Sequence, residues 1–146
     1  MIKETDPQMH TAEHLLNQTM VRMFGCDRCF SAHINRKKSK CDYRFDRPLE
    51  EGELREIERR VNAVIAEDLP VTAEMMERGA AERLFNLGRV PEGDAALRIV
   101  RIGDYDACPC IGRHVDTTAE IGQLRIVSAS FEEGVLRIRF KLNRKS

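Results

Sequence analysis

Hydrophobic positions along this chain switch between two periods, and the switches mark its elements. Leu15, Leu16, Met20, Met23 and Phe24 recur close to the 3.6-residue period of a helix that buries one face. Asp6 and Pro7 supply an N-cap and a first-turn proline, and the helix is predicted to stop near Gly25. Residues 30–35 and 40–46 read instead as a hairpin, because Cys41, Tyr43 and Phe45 alternate with Lys40, Asp42 and Arg44. Its tip, Arg36-Lys37-Lys38-Ser39, is basic. A second helix follows Pro48, with Leu54, Ile57, Val61, Val64 and Ile65 as its buried stripe.

Residues 69–72 read as a short extended segment and residues 74–87 as a helix broken near Gly79, followed by a loop at Gly88 and Pro91-Glu-Gly-Asp94. Leu97, Ile99, Val100 and Ile102 leave the next strand apolar on nearly both faces, so it is predicted to be buried. That strand feeds a segment, residues 103–110, read as a loop rich in Gly, Asp and Pro. The last third is a second hairpin, residues 123–131 and 135–142, turning at Glu132-Glu133-Gly134. Ile138, Phe140 and Leu142 face one way, and Arg137, Arg139 and Lys141 the other. Helices interspersed with antiparallel hairpins predict an α+β fold, an antiparallel sheet with packed helices. With no repeat, low-complexity tract or linker, residues 1–146 read as one domain.

Composition narrows the chemistry. A chain of 146 residues buries a core without disulfides. Its 24 basic and 24 acidic residues cancel, so a nucleic-acid surface has to be a local patch. Arg36, Lys37 and Lys38 are the first candidates for phosphate contacts, with Arg137, Arg139 and Lys141 behind them. No run approaches a membrane span or a signal sequence, so a cytoplasmic location and no membrane partner are expected. Five cysteines, an odd number without an export signal, favour free or metal-bound thiols.

Three of the four histidines fall into two spaced pairs, His10-Thr-Ala-Glu-His14 and Cys110-Ile-Gly-Arg-His114, leaving only His33. On a helix, the first spacing brings both imidazoles to one face. The second pair sits where the backbone can bend a thiolate and an imidazole around one point. Three imidazoles and a thiolate make a zinc set. Cys26-Asp-Arg-Cys29 competes, as half of an all-cysteine site with Cys108 and Cys110 or as a redox pair. The all-cysteine site leaves the histidines unexplained, and the redox motif normally opens a helix rather than following one.

His10-Thr-Ala-Glu-His14-Leu-Leu, Asp42-Tyr-Arg-Phe45, Glu53-Leu-Arg-Glu-Ile-Glu58 with Val61-Asn62, Leu69-Pro70-Val71, Ile102-Gly-Asp104, Cys110 and His114-Val115, and Thr118-Ala-Glu-Ile-Gly122 stand in order along the chain. Together they resemble the editing domain of alanyl-tRNA synthetase and its free-standing relatives, which are related to the threonyl-tRNA synthetase second additional domain. The resemblance implies that fold, with zinc held by His10, His14, Cys110 and His114. It also implies hydrolysis of mischarged aminoacyl-tRNA in trans, with Ser and Gly as the errors of alanyl-tRNA synthetase and the tRNA acceptor end as partner. Because the chain begins shortly before His10, it looks like a small free-standing member.

No side chain is assigned the chemical step, which falls to a zinc-bound water; zinc also suits polarising the carbonyl or holding the substrate's amino group. Four side-chain ligands at once would saturate the ion, as in structural sites. The family's Cys-Gly-Gly-Thr-His is here Cys110-Ile111-Gly112-Arg113-His114. That departure makes Ile111, Gly112 and Arg113, with Ser31 of the first hairpin, the candidate amino-acid pocket, and Asp104, Asp106 or Asp116, or the phosphate of the tRNA terminus, candidate partners for Arg113. It also supports a second reading, a catalytically altered zinc module that binds tRNA ends, an amino acid or a protein. Cys108 reads as a spare ligand or, preferably, a small buried residue.

Overall fold

The computed structural model describes residues 6–85, 87 and 95–144. Helix α1 (Pro7–Phe24) opens on Asp6, whose carboxylate accepts from Met9 N at 3.1 Å, and closes on Gly25 in the left-handed region at φ 68°. It buries Met9, Ala12, Leu15, Leu16 and Met20, and with them the polar Thr11, Glu13, His14, Asn17 and Thr19. So many buried polar groups require partners, and the site below supplies them. Helix α2 (Glu51–Ala66) buries Ile57, Val61, Val64 and Ile65. Glu53 reaches back to Glu50 N at 2.9 Å, closing its first turn.

Strands β1 (Ser31–His33) and β2 (Ser39–Arg44) form the first hairpin. Strands β6 (Gln123–Glu132) and β7 (Val135–Asn143) form the last, joined through Glu133 and Gly134, both at positive φ as a two-residue turn between right-twisted strands requires. Strand β7 also pairs with β2, setting Cys41 opposite Ile138 and Tyr43 opposite Leu136, so one sheet runs β1-β2-β7-β6, antiparallel throughout. Its inner face carries Tyr43, Leu124, Leu136, Ile138 and Phe140 against α1 and α2 in one continuous core. Asp42 and Arg137 pair on the other face, at 2.7 and 2.9 Å, which occupies Arg137 with a cross-strand partner.

A second antiparallel sheet replaces two of the sequence expectations. Strand β3 (Val71–Glu77) takes residues predicted to be helical, and only α3 (Arg78–Leu84) after it is a helix. Ala, Glu and Met favour helix locally. The full ladder from Val71 opposite Ile102 to Glu77 opposite Ala96 on β4 (Ala96–Ile102) overrides that preference. The expected loop at residues 103–110 is a turn leading into β5 (Asp106–Pro109), which pairs with β4 and completes the order β3-β4-β5. The fold is therefore α+β with two antiparallel sheets rather than one. The loop expected at Gly88 and Pro91–Asp94 lies outside the described residues. Among the described residues, no helix is long and apolar enough to cross a membrane.

Candidate metal centre

His10 and His14 rise from one face of α1, while Cys110 and His114 come from the irregular segment that follows β5. One ligand atom from each lies within 4.8 Å of all the others, so the four side chains could hold a metal ion. The rings of His10 and His114 stack at 4.5 Å, and His14 meets both edge-on. Cys110 Sγ is 3.5 Å from His10 Nε2.

Neighbouring groups decide which nitrogen each ring presents. Thr11 Oγ1 donates its one proton to Pro7 O at 2.8 Å and accepts from Val115 N at 3.2 Å. The 2.9 Å contact from Thr11 Oγ1 to His114 Nδ1 therefore has the imidazole as donor. His114 Nε2 is left with its lone pair, buried and without a partner, which is the form a metal ligand takes. His14 Nδ1 lies 3.3 Å from Cys108 Sγ and 3.6 Å from Asp106 Oδ2, and its ring also reaches Cys110. Asp106 is held in turn by both terminal nitrogens of Arg28, at 2.7 and 3.2 Å, and by Gln18 Nε2 at 2.9 Å. His10 Nδ1 is the second buried ring nitrogen without a hydrogen-bond partner.

Charge follows the geometry. Burial pushes the Cys110 thiol up, but the imidazoles of His10, His114 and His14 around the sulfur, and the charge of His14, outweigh it and hold the thiol at about 3. Cys110 is thus a thiolate at neutral pH. Burial lowers His14, yet Cys108, Asp106 and Cys110 close around its ring lift it well above its ordinary 6.5. His114 is lowered, with burial the leading cause. To hold a metal ion, His14 would have to give up its extra proton, whereas Cys110 would offer a thiolate already formed.

The segment bearing Cys110 and His114 is fastened from β4. Cys110 N donates to Arg98 O at 3.0 Å, and Arg98 Nη1 donates to the carbonyls of Cys110 at 3.0 Å and Gly112 at 2.8 Å. Gly112 lies so close to the His10 ring that a Cβ there would overlap it.

Residues 97–139, from β4 through most of β7, match the family described as the threonyl and alanyl tRNA synthetase second additional domain. Alanine–tRNA ligases align over far more of the chain. That of Methanopyrus kandleri is 37% identical over 139 residues, covering 90% of this chain and 15% of the ligase. Those of Caldivirga maquilingensis and Treponema denticola are 35% and 32% identical over 153 and 133 residues, covering 91% and 89% of this chain. The chain belongs to the alanyl-tRNA synthetase editing-domain-like family. It spans 15%, 16% and 22% of the length of these three relatives.

In this editing-domain-like chain the candidate pocket residues lie in different settings. Gly112 touches the centre through His10, whereas Ile111, 70% exposed, and Arg113 turn outward. Ser31 is half-buried on β1, opposite Asp42. Asp106, considered from sequence as a partner for Arg113, instead serves His14 and Arg28. Cys108 is buried, as preferred, and forms a second metal-capable group with His14 and Asp106. Cys26 and Cys29 join neither group among the described residues, which removes the all-cysteine site. Thr11, Asp106 as orienter, and Arg98 were not singled out from sequence. Of these only Thr11 carried a signal, its place inside the histidine pair.

Proposed function

We propose that this chain is a zinc-dependent aminoacyl-tRNA deacylase. It hydrolyses in trans the ester joining a mischarged amino acid to the terminal ribose of tRNA, with Ser or Gly, the errors of alanyl-tRNA synthetase, as the amino acids cleared. The carrying observation is that His10, His14, Cys110 and His114 converge in a chain related to alanine–tRNA ligases. The residues fit zinc, which favours N and S donors in a tetrahedron, and two of the buried ring nitrogens have no other partner. Those four side chains would hold it, and when bound it supplies a Lewis acid beside the ester carbonyl. Thr11 and Asp106 fix the ring orientations, and Arg98 holds the ligand segment to β4. Ile111, Gly112, Arg113 and Ser31 are proposed to meet the amino acid and the 3′ end. The working location is the cytoplasm, with charged tRNA.

The test is release of amino acid from Ser-, Gly- and Ala-charged tRNA by zinc-loaded protein. Ser- or Gly-tRNA should be discharged and Ala-tRNA spared, and Cys110→Ala should lower the rate at least about a hundredfold. Zinc-loaded protein that discharges no member of the panel would overturn the reading.

The basic hairpin tip is the proposed landing for the acceptor stem. Arg36 is exposed but paired with Asp6 at 3.1 Å, and its carbonyl accepts from Arg144 at 2.8 Å; Lys37 and Lys38 are the exposed tip charges with no acidic partner among the described residues. Reversing both to Glu should reduce the slope of log affinity for tRNA against log salt by about 2. An unchanged slope removes the tip from the interface.

A further inference from the structure

Glu13 is a buried carboxylate that the chemistry above does not use. It sits on α1 between the two histidines and is 5% exposed. Its Oε2 accepts from Asn17 Nδ2 at 2.7 Å. Asn17 Oδ1 in turn accepts from Tyr43 Oη at 2.8 Å and from Cys29 N at 3.2 Å. Two donors on Oδ1 fix which way the amide points, so Nδ2 has to face the carboxylate. One oxygen of Glu13 is thereby locked by a buried chain that runs to β2 and to the end of the CxxC segment.

The other oxygen is placed differently. Oε1 lies 3.7 Å from His10 Nε2, the nitrogen that is also 3.5 Å from Cys110 Sγ, so it borders the metal-capable cluster. A separation of 3.7 Å is too long for a hydrogen bond. If His10 turns Nε2 to a metal, that nitrogen has no proton to offer, and Oε1 keeps its lone pairs for another donor. Among the described residues no Lys or Arg bonds Glu13, and the nearby Arg28 is committed to Asp106. A carboxylate fixed through one oxygen, with the other at the rim of a reactive centre, is placed to receive a cation. An aminoacyl ester brings one, since its α-ammonium stands a single carbon from the carbonyl to be attacked.

We propose that Glu13 Oε1 receives the α-ammonium of the aminoacyl ester, making the site selective for esters of α-amino acids over those of α-hydroxy acids. This rests on the deacylase reading. It assigns amine recognition to a side chain of the protein rather than to the metal. The Asn17–Tyr43 chain is then a positioning device that holds the carboxylate in one rotamer.

Calorimetric titration of zinc-loaded protein with two non-hydrolysable probes tests it: 3′-deoxy-3′-(L-serylamino)adenosine, and the same compound with a hydroxyl in place of the α-amine. Wild type should bind the amine at least about tenfold more tightly. Glu13→Gln, which keeps the side-chain shape and still accepts from Asn17, should bring the two affinities close to equal at the same zinc content. A preference that persists in Glu13→Gln overturns the proposal. So does wild type that binds both probes alike, a result that does not depend on how the variant folds. Either result alongside discharge of Ser-tRNA sinks the role of Glu13 alone, whereas zinc-loaded wild type that neither discharges tRNA nor binds a probe sinks both readings.

Discussion

Gly112→Ala should lower zinc affinity by roughly a hundredfold or more, about 2.8 kcal/mol, while leaving the helices and sheets intact. The single added carbon would overlap the His10 imidazole. His10 cannot yield without leaving the cluster, because its other edge faces Cys110 and Glu13. The segment cannot yield easily either, since Arg98 holds the carbonyls on both sides of Ile111 and Gly112 N donates to Cys110 Sγ at 3.4 Å. The clash is therefore settled by moving a ligand, and metal sites lose affinity steeply when ligand geometry shifts. Competition against a zinc-binding dye reads the effect, with far-ultraviolet circular dichroism to show that the fold remains. Equal affinities in the two proteins would mean that the segment relaxes freely and that Arg98 does not pin it.

The same segment shows where sequence reasoning succeeds and where it stops. Spacing alone grouped His10 with His14 and Cys110 with His114, because helical geometry and short-range chain bending are local properties. Sequence also flagged Ile111 and Arg113 as departures from the family pattern, and both side chains turn outward. The crowded position is Gly112, and nothing near it in the chain announces a ring that comes from a helix a hundred residues away. β3 was misread for a related reason. Its residues favour helix, and the ladder that overrules them is made with β4, about twenty-five residues further on. Thr11, Asp106 and Arg98 act through contacts that exist only once α1, β4 and β5 have come together. Side chains able to hold a metal ion announce themselves by type and spacing. Those that orient them are ordinary residues made special by the fold.

Asp106→Asn is expected to weaken both the centre and the fold, with an acid dependence that identifies the cause. Burial raises the Asp106 carboxyl, but the nearby His14 imidazole and the Arg28 guanidinium outweigh it and hold the group at about 2, against 3.8 when unfolded. A group depressed in the folded state contributes stability above its unfolded value, and that contribution is lost as pH falls from about 3.8 through about 2. The drop corresponds to roughly 2 kcal/mol, fully present at pH 7. Asparagine keeps the shape but not the charge, leaving the Arg28 guanidinium, whose side chain is 29% exposed, to partial hydration. Urea unfolding of the metal-free proteins should therefore show the variant about 2 kcal/mol less stable at pH 7, with the gap closing as pH approaches 2. Zinc affinity should fall about tenfold as His14 loses the carboxylate that orients its Nδ1 proton. A gap of the same size at both ends of the pH range would assign Asp106 a packing role, because shape does not titrate. No gap at pH 7 would mean that the Arg28–Asp106–His14 line contributes nothing to the fold.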